Sequence, residues 1–154
     1  MESGTVPARA EQLDYVLSEL LPRAALLTRL LVRQLGGELS RTEIGLLKTL
    51  GGGSRRITEL AESEGLAQPT ITILIKQLEA KGLVARTRQP GDGRVVLVNL
   101  TDSGNAALED YRGKVRAVLG GYLAEIADEQ VEALATATGT LAQLAGVLQR
   151  RPAR

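Results

Sequence analysis

At 154 residues and a formal net charge of +1, the chain is long enough for one domain, or for two small lobes sharing a core. It contains no Cys and no His, which excludes a disulfide framework, a thiol redox switch, a zinc site of Cys/His type and any His-dependent triad. Aromatic residues amount to Tyr15, Tyr111 and Tyr122, so the core must be built from Leu, Val, Ile and Ala, a helical composition. No apolar run reaches the roughly 18 residues of a membrane span. Residues 1–10 lack the apolar centre of a signal peptide, so the expectation is a soluble cytoplasmic protein with no membrane association. The charge becomes informative only when divided along the chain: residues 54–98 carry seven basic groups against five acidic ones, while the flanks are balanced or slightly acidic. That excess is modest, so a polyanionic partner implies two copies of the segment.

In chain order, residues 1–10 read as a loose start. From Leu13 to Leu35 apolar residues recur at helical spacing but more densely than one buried stripe needs, so this helix has two sides to cover. Pro22 predicts a kink or a break near Leu21, because proline removes a backbone donor and crowds the preceding turn. Gly36 and Gly37 end the helix. Ser40 and Glu43 have the spacing of a capping box and open a second helix to about Leu50, which Gly51, Gly52 and Gly53 stop. A short helix over 57–64 buries Ile57, Leu60 and Ala61. Gly65 and Leu66 make a tight turn, and a further helix covers 68–81, so that 57–81 is helix, short turn, helix.

In that last helix Ile71, Leu74, Ile75 and Leu78 fall at i, i+3, i+4 and i+7, one buried stripe. The other face then carries Gln68, Pro69, Thr70, Thr72, Ile73 and Lys76, a set that suits base edges in a major groove better than bulk water. After Gly82 the period changes. Residues 84–88 read as a strand, 89–93 (QPGDG) as a turn and 95–100 as a second strand: a basic hairpin that must lie on the helices to be stable. Thr101 and Asp102 cap a long helix carrying Leu108, Tyr111, Val115, Val118, Leu119, Tyr122 and Ile126. A last helix spans 128–149, and 151–154 reads as a disordered tail.

The run from Leu78 to Arg86 (LEAKGLVAR), followed by Asp92-Gly93-Arg94 and by Leu100-Thr101-Asp102-Ser103-Gly104, resembles the MarR family of bacterial transcriptional regulators in residues and spacing. Leu60-Ala61 and Gln68 to Thr72 are similar to that family's helix-turn-helix, and the resemblance covers nearly the whole chain. It implies a mainly α fold with a small β-wing: a winged helix-turn-helix lobe over 38–100, and a dimerisation lobe from 1–37 and 101–150. It further implies a homodimer on a pseudo-palindromic double-stranded DNA operator, with half-sites about one helical turn apart. The surplus apolar positions of the first and last helices would form the dimer interface.

The residues expected at DNA are Gln68, Pro69, Thr70, Thr72, Ile73, Lys76, Arg88, Arg94, Arg55 and Arg56, with Arg94 standing at the family's wing arginine. Arg86, Asp92 and Gly93 are expected to support the wing. Members of the family commonly respond to a small aromatic or phenolic effector held between the two lobes, which implies a repressor released by such a ligand. The contacts to consider are Tyr15 and Tyr111, although tyrosines at such spacing also suit the core. No cofactor and no metal is expected. Two positions depart from the family: residue 67, usually a Ser or Thr cap, is Ala, and Ile73 occupies a site where arginine is frequent.

Other readings are a helical dimerisation or adaptor protein whose wing binds another protein, and a DNA-binding regulator without effector. An enzyme is disfavoured, since no nucleophile has a base beside it and Gly51-Gly52-Gly53 lacks the lysine and strand context of a phosphate loop.

Overall fold

The computed structural model describes residues Arg9–Arg150; residues 1–8 of the expected loose start and the tail at 151–154 lie outside the described residues. The chain forms two compact units divided between Gly36 and Gly37. The first unit holds helix α1 (Arg9–Leu35), so Arg9 and Ala10 are helical rather than part of a loose terminus. Pro22 lies inside α1 and does not break it. A proline costs one i to i−4 bond, and the bonds on either side carry the helix past it. Gly36 and Gly37, at φ 57° and 127°, stop the helix where an L side chain could not follow. No residue of α1 is buried, and Leu17 and Leu21 are among its exposed apolar side chains.

The second unit runs α2 (Arg41–Gly51), α3 (Ile57–Glu64), α4 (Gln68–Ala80), β1 (Val84–Gln89), β2 (Asp92–Leu100), α5 (Asp102–Leu123) and α6 (Asp128–Arg150). Both halves of the predicted capping box form at α2: Ser40 Oγ accepts from the Glu43 N–H at 3.2 Å, and the Ser40 N–H donates to Glu43 Oε2 at 2.8 Å. The core collects Leu46, Leu47 and Leu50 of α2, Leu60 and Ala61 of α3, Ile71, Ile75 and Leu78 of α4, Val84 and Val98 of the strands, and Leu108 of α5. Leu74, expected in the same stripe, is half-buried at its edge. Every buried residue of this cluster lies between α2 and the first half of α5, so the helix-turn-helix and the wing share one apolar core.

The hairpin is tighter than the sequence suggests. The strands run antiparallel from Val84↔Leu100 to Arg88↔Val96, then shift register to Gln89↔Asp92. Only Pro90 and Gly91 lie between the strands, and Gly91 has φ 87°. Proline followed by a positive-φ glycine is a two-residue turn, so Asp92 and Gly93 belong to β2 and not to the loop. Arg55 adds a third, one-residue partner: its N–H donates to Val98 O at 2.9 Å and its carbonyl accepts from the Val98 N–H at 2.8 Å.

Thr101 closes the wing. Its hydroxyl donates to Gly82 O at 2.6 Å and accepts from the Gly104 N–H at 3.0 Å, tying the end of the recognition segment to the start of α5. Helix α5 ends at Leu123, leaving Ile126 outside it, because the chain turns at Ala124 before α6 begins. No tyrosine enters the core: Tyr15 and Tyr122 are exposed, and Tyr111 is half-buried with the Lys48 ammonium 5.0 Å from its ring centroid.

Within Asp128–Gln149 of helix α6 the most apolar 18-residue window has a mean hydropathy of 1.3, which is long and apolar enough, by length and composition only, to cross a bilayer. Glu132 and several Thr, Gly and Gln residues interrupt the apolar positions of the helix, so no unbroken apolar run of that length exists, although an average over the window passes the same length and composition test. Its exposed apolar residues, Leu134, Leu144 and Leu148 among them, leave the helix with a face to cover.

Candidate nucleic-acid interface

Helix α4 is set by its neighbours on both sides. At its start Gly65, in the left-handed region at φ 63°, turns the chain out of α3, and Ala67 occupies the N-cap without a side-chain hydrogen bond. At its end Gly82 at φ 72° turns the chain into β1. Between these turns Ile71, Ile75 and Leu78 are fully buried, and this fixes the rotation of the helix.

The outward face that results is centred differently from the sequence expectation. Pro69, Ile73 and Lys76 are exposed, as are Gln77 and Ala80, neither of which the sequence pattern singled out. Gln77 lies four residues after Ile73 and shares its face, so helical periodicity alone contained the signal. Gln68 and Thr70 are exposed near the helix start. Thr72 is half-buried at the flank, and its hydroxyl donates to Gln68 O at 2.9 Å.

The wing presents Arg88 and Arg94 to solvent. Asp92 shapes the tip, its Oδ1 accepting from the Arg94 N–H at 3.1 Å, a local bond that rigidifies the turn without using the guanidinium. Arg86 is placed otherwise: its Nε meets Glu79 Oε2 of α4 at 3.0 Å, both side chains about one-third exposed. It braces the wing root. Arg56, the N-cap of α3, reaches the wing through a 3.3 Å hydrogen bond to Gln89 Oε1. Arg55 and Arg56 line one open depression of about 510 Å³ together with Ser54, Glu59 and Gln89. Among the described residues no group of three or more acidic side chains is arranged to hold a metal ion.

A helix, a tight turn, a second helix with an open outward face, and a basic hairpin behind it make up a winged helix-turn-helix. The model of the MarR family matches residues 39–96, the span from the start of α2 into the wing. The uncharacterized HTH-type transcriptional regulator YxaD of Bacillus subtilis is 37% identical over 100 residues, covering 64% of this chain and 68% of YxaD. The chain belongs to the MarR family. The HTH-type transcriptional repressor MdtR of Bacillus subtilis is 33% identical over 93 residues; the match spans 60% of either chain, so it reaches less than two thirds of MdtR's length. Among solved structures, Streptococcus pneumoniae FabT in complex with DNA superposes with a TM-score of 0.67 at 17% identity, over 90% of this chain and 99% of that one, a likeness of fold. The span matched by the MarR model coincides with most of the stretch, from α2 to the first half of α5, that holds the apolar core.

Proposed function

We propose that the protein is a sequence-specific regulator of transcription that binds double-stranded DNA as a homodimer. Residues 38–100 are the DNA-binding lobe, with α4 in the major groove and the wing at the adjacent backbone or minor groove. Residues 1–37 and 101–150 supply the dimer contacts. The observation that carries this reading is the combination of a core-anchored α4 whose far face is fully exposed with two wing arginines, Arg88 and Arg94, that are exposed and have no ion-pair partner among the described residues. Kinship with regulators supports it, as does the fold shared with a protein solved on DNA.

The dimer has its own support. The apolar side chains left exposed on α1 and, separately, on α6 are those of helices that pack against a partner. Two-fold symmetry then requires a pseudo-palindromic operator. The repressor role follows the named role of MdtR, and release by a small aromatic or phenolic effector follows the family habit, with Tyr111 beside Lys48 as the contact to examine.

The test is selection of bound fragments from the source genome, including the region upstream of the protein's own gene, followed by affinity measurements at two salt concentrations. The expected result is a palindromic site whose affinity falls steeply with salt. Equal binding of all sequences would overturn the regulator reading, and binding unchanged by candidate phenolic ligands would remove the effector.

A further inference from the structure

The outward face of α4 is centred on an aliphatic side chain. Ile73 lies two residues from Ile71 and two from Ile75, both fully buried; at 3.6 residues per turn it points directly away from the core, and it is 58% exposed. A single exposed isoleucine is ordinary on a protein surface. This one occupies the middle of the outward face of α4, where it is the one exposed large aliphatic side chain. Pro69, on the same face, has no N–H to donate. The hydroxyl of Thr72, at the flank, has its one proton engaged with Gln68 O at 2.9 Å, while Thr70 and Gln77, three residues before and four after Ile73, are exposed and border it with polar groups. Helix α4 carries only two charges, Lys76 and Glu79, and Glu79 is turned to Arg86.

Of the groups lining a major groove, only the thymine C5-methyl is apolar, and aliphatic side chains contact it. We propose that Ile73 is a specificity-determining residue that reads a thymine methyl in each half-site of the operator. This rests on the assignment of α4 as the recognition helix. The bound sequence then carries an A·T pair under the centre of α4 in both half-sites. Lys76, one turn further on, supplies the flanking polar or phosphate contact.

The test uses the full-length protein and the duplex it selects. Each thymine of a half-site is replaced in turn by deoxyuridine, which differs only in lacking the methyl group, and affinity is measured by fluorescence anisotropy. One position per half-site is expected to lose about fourfold, the worth of one buried methyl, and about the square of that when both half-sites are changed. Ile73→Ala, a truncation at an exposed site, should bind the thymine and uracil duplexes alike while melting at the wild-type temperature. The uracil scan on the unaltered protein stands without the variant. Specific binding that is indifferent to uracil at every position overturns the inference and leaves the DNA-binding reading intact. An equal uracil penalty in the wild type and in Ile73→Ala also overturns it. Absence of any sequence-specific duplex binding overturns both, as does a protein partner captured through this face in place of DNA.

Discussion

Lys81, the C-cap of α4, is joined to Glu43, in the first turn of α2: Lys81 Nζ donates to Glu43 Oε1 at 2.8 Å and to Glu38 O at 3.3 Å. Glu43 is the only buried charged residue among those described, 5% exposed, and its other oxygen accepts from the Ser40 N–H. One carboxylate therefore completes a capping box and anchors the far end of the recognition helix. Burial by itself pushes the Glu43 carboxyl up. The Lys81 hydrogen bond, the bonds at Ser40 and the lysine charge together outweigh it and leave the group below its ordinary value.

Removing the lysine while keeping its length, Lys81→Met, leaves that carboxylate short of a partner. The expected loss is about 1–3 kcal/mol at neutral pH, less than for a fully buried pair because the Lys81 side chain is 36% exposed. Because the folded group titrates below the unfolded one, the stabilisation is fully present above the ordinary carboxylate range and disappears as pH falls through the lower folded value. Urea unfolding of both proteins should show a gap at pH 7 that narrows only as pH falls below the ordinary carboxylate range. A gap independent of pH would show that the charge pair is not its source.

Two glycines of α5 should respond to alanine with opposite signs. A Cβ on Gly104 would stand 1.9 Å from the Leu83 carbonyl oxygen, a backbone atom that cannot swing aside. Gly104→Ala is expected to cost about 3 kcal/mol or more, since α5 must move off the end of the recognition segment. Gly113, in the same helix, meets nothing within 4 Å. Gly113→Ala should stabilise by about 0.5–1 kcal/mol through helix propensity. Denaturation midpoints that move in the same direction for both variants would contradict the packing described.

Ala67 has extended backbone angles, φ −67° and ψ 143°, like the capping residues Ser40 and Thr101, but no side chain to cap with. Ala67→Ser is therefore expected to add about 1 kcal/mol, visible as a raised melting temperature. No gain would mean that the N–H groups at the start of α4 are already satisfied.

Arg86 and Arg94 are both wing arginines, and they should separate experimentally. Arg86→Ala removes a partly exposed pair with Glu79, and a double-mutant cycle on the two should return about 0.2–1 kcal/mol of folding stability. On the proposed operator it should leave the salt slope unchanged. Arg94→Ala should weaken all sites and lower the slope by about 1 for each phosphate that the arginine neutralises. A flattened slope for Arg86→Ala would place that residue on DNA as well.

Much of the fold is legible in the sequence because it is encoded locally. Periodicity places the Ile71, Ile75 and Leu78 stripe, and the Ser40 and Glu43 spacing places the start of α2. The wing turn differs from expectation by three residues, Gln89, Asp92 and Gly93, because composition marks a turn region while backbone pairing decides its edges. The centre of the candidate reading face is displaced for a similar reason. Ile73 and Lys76 face outward as the periodicity predicts, whereas the depth to which the Ile71 to Leu78 stripe is buried turns Gln77 and Ala80 outward with them and leaves Thr72 half-buried at the flank.

By itself the sequence determined the order of helices and strands, the caps and breaks between them, and the kinship carried by the LEAKGLVAR, DGR and LTDSG segments. These depend on backbone propensity, hydrophobic period and short-range hydrogen bonds, all read within a few residues. Only the tertiary structure decided that Gly104 is a glycine for want of space beside Leu83, that Arg55 pairs with Val98, and that Arg86 and Lys81 are turned to Glu79 and Glu43. Each of these depends on which surfaces the shared apolar core brings together, and that is a property of the packed lobe rather than of any one segment.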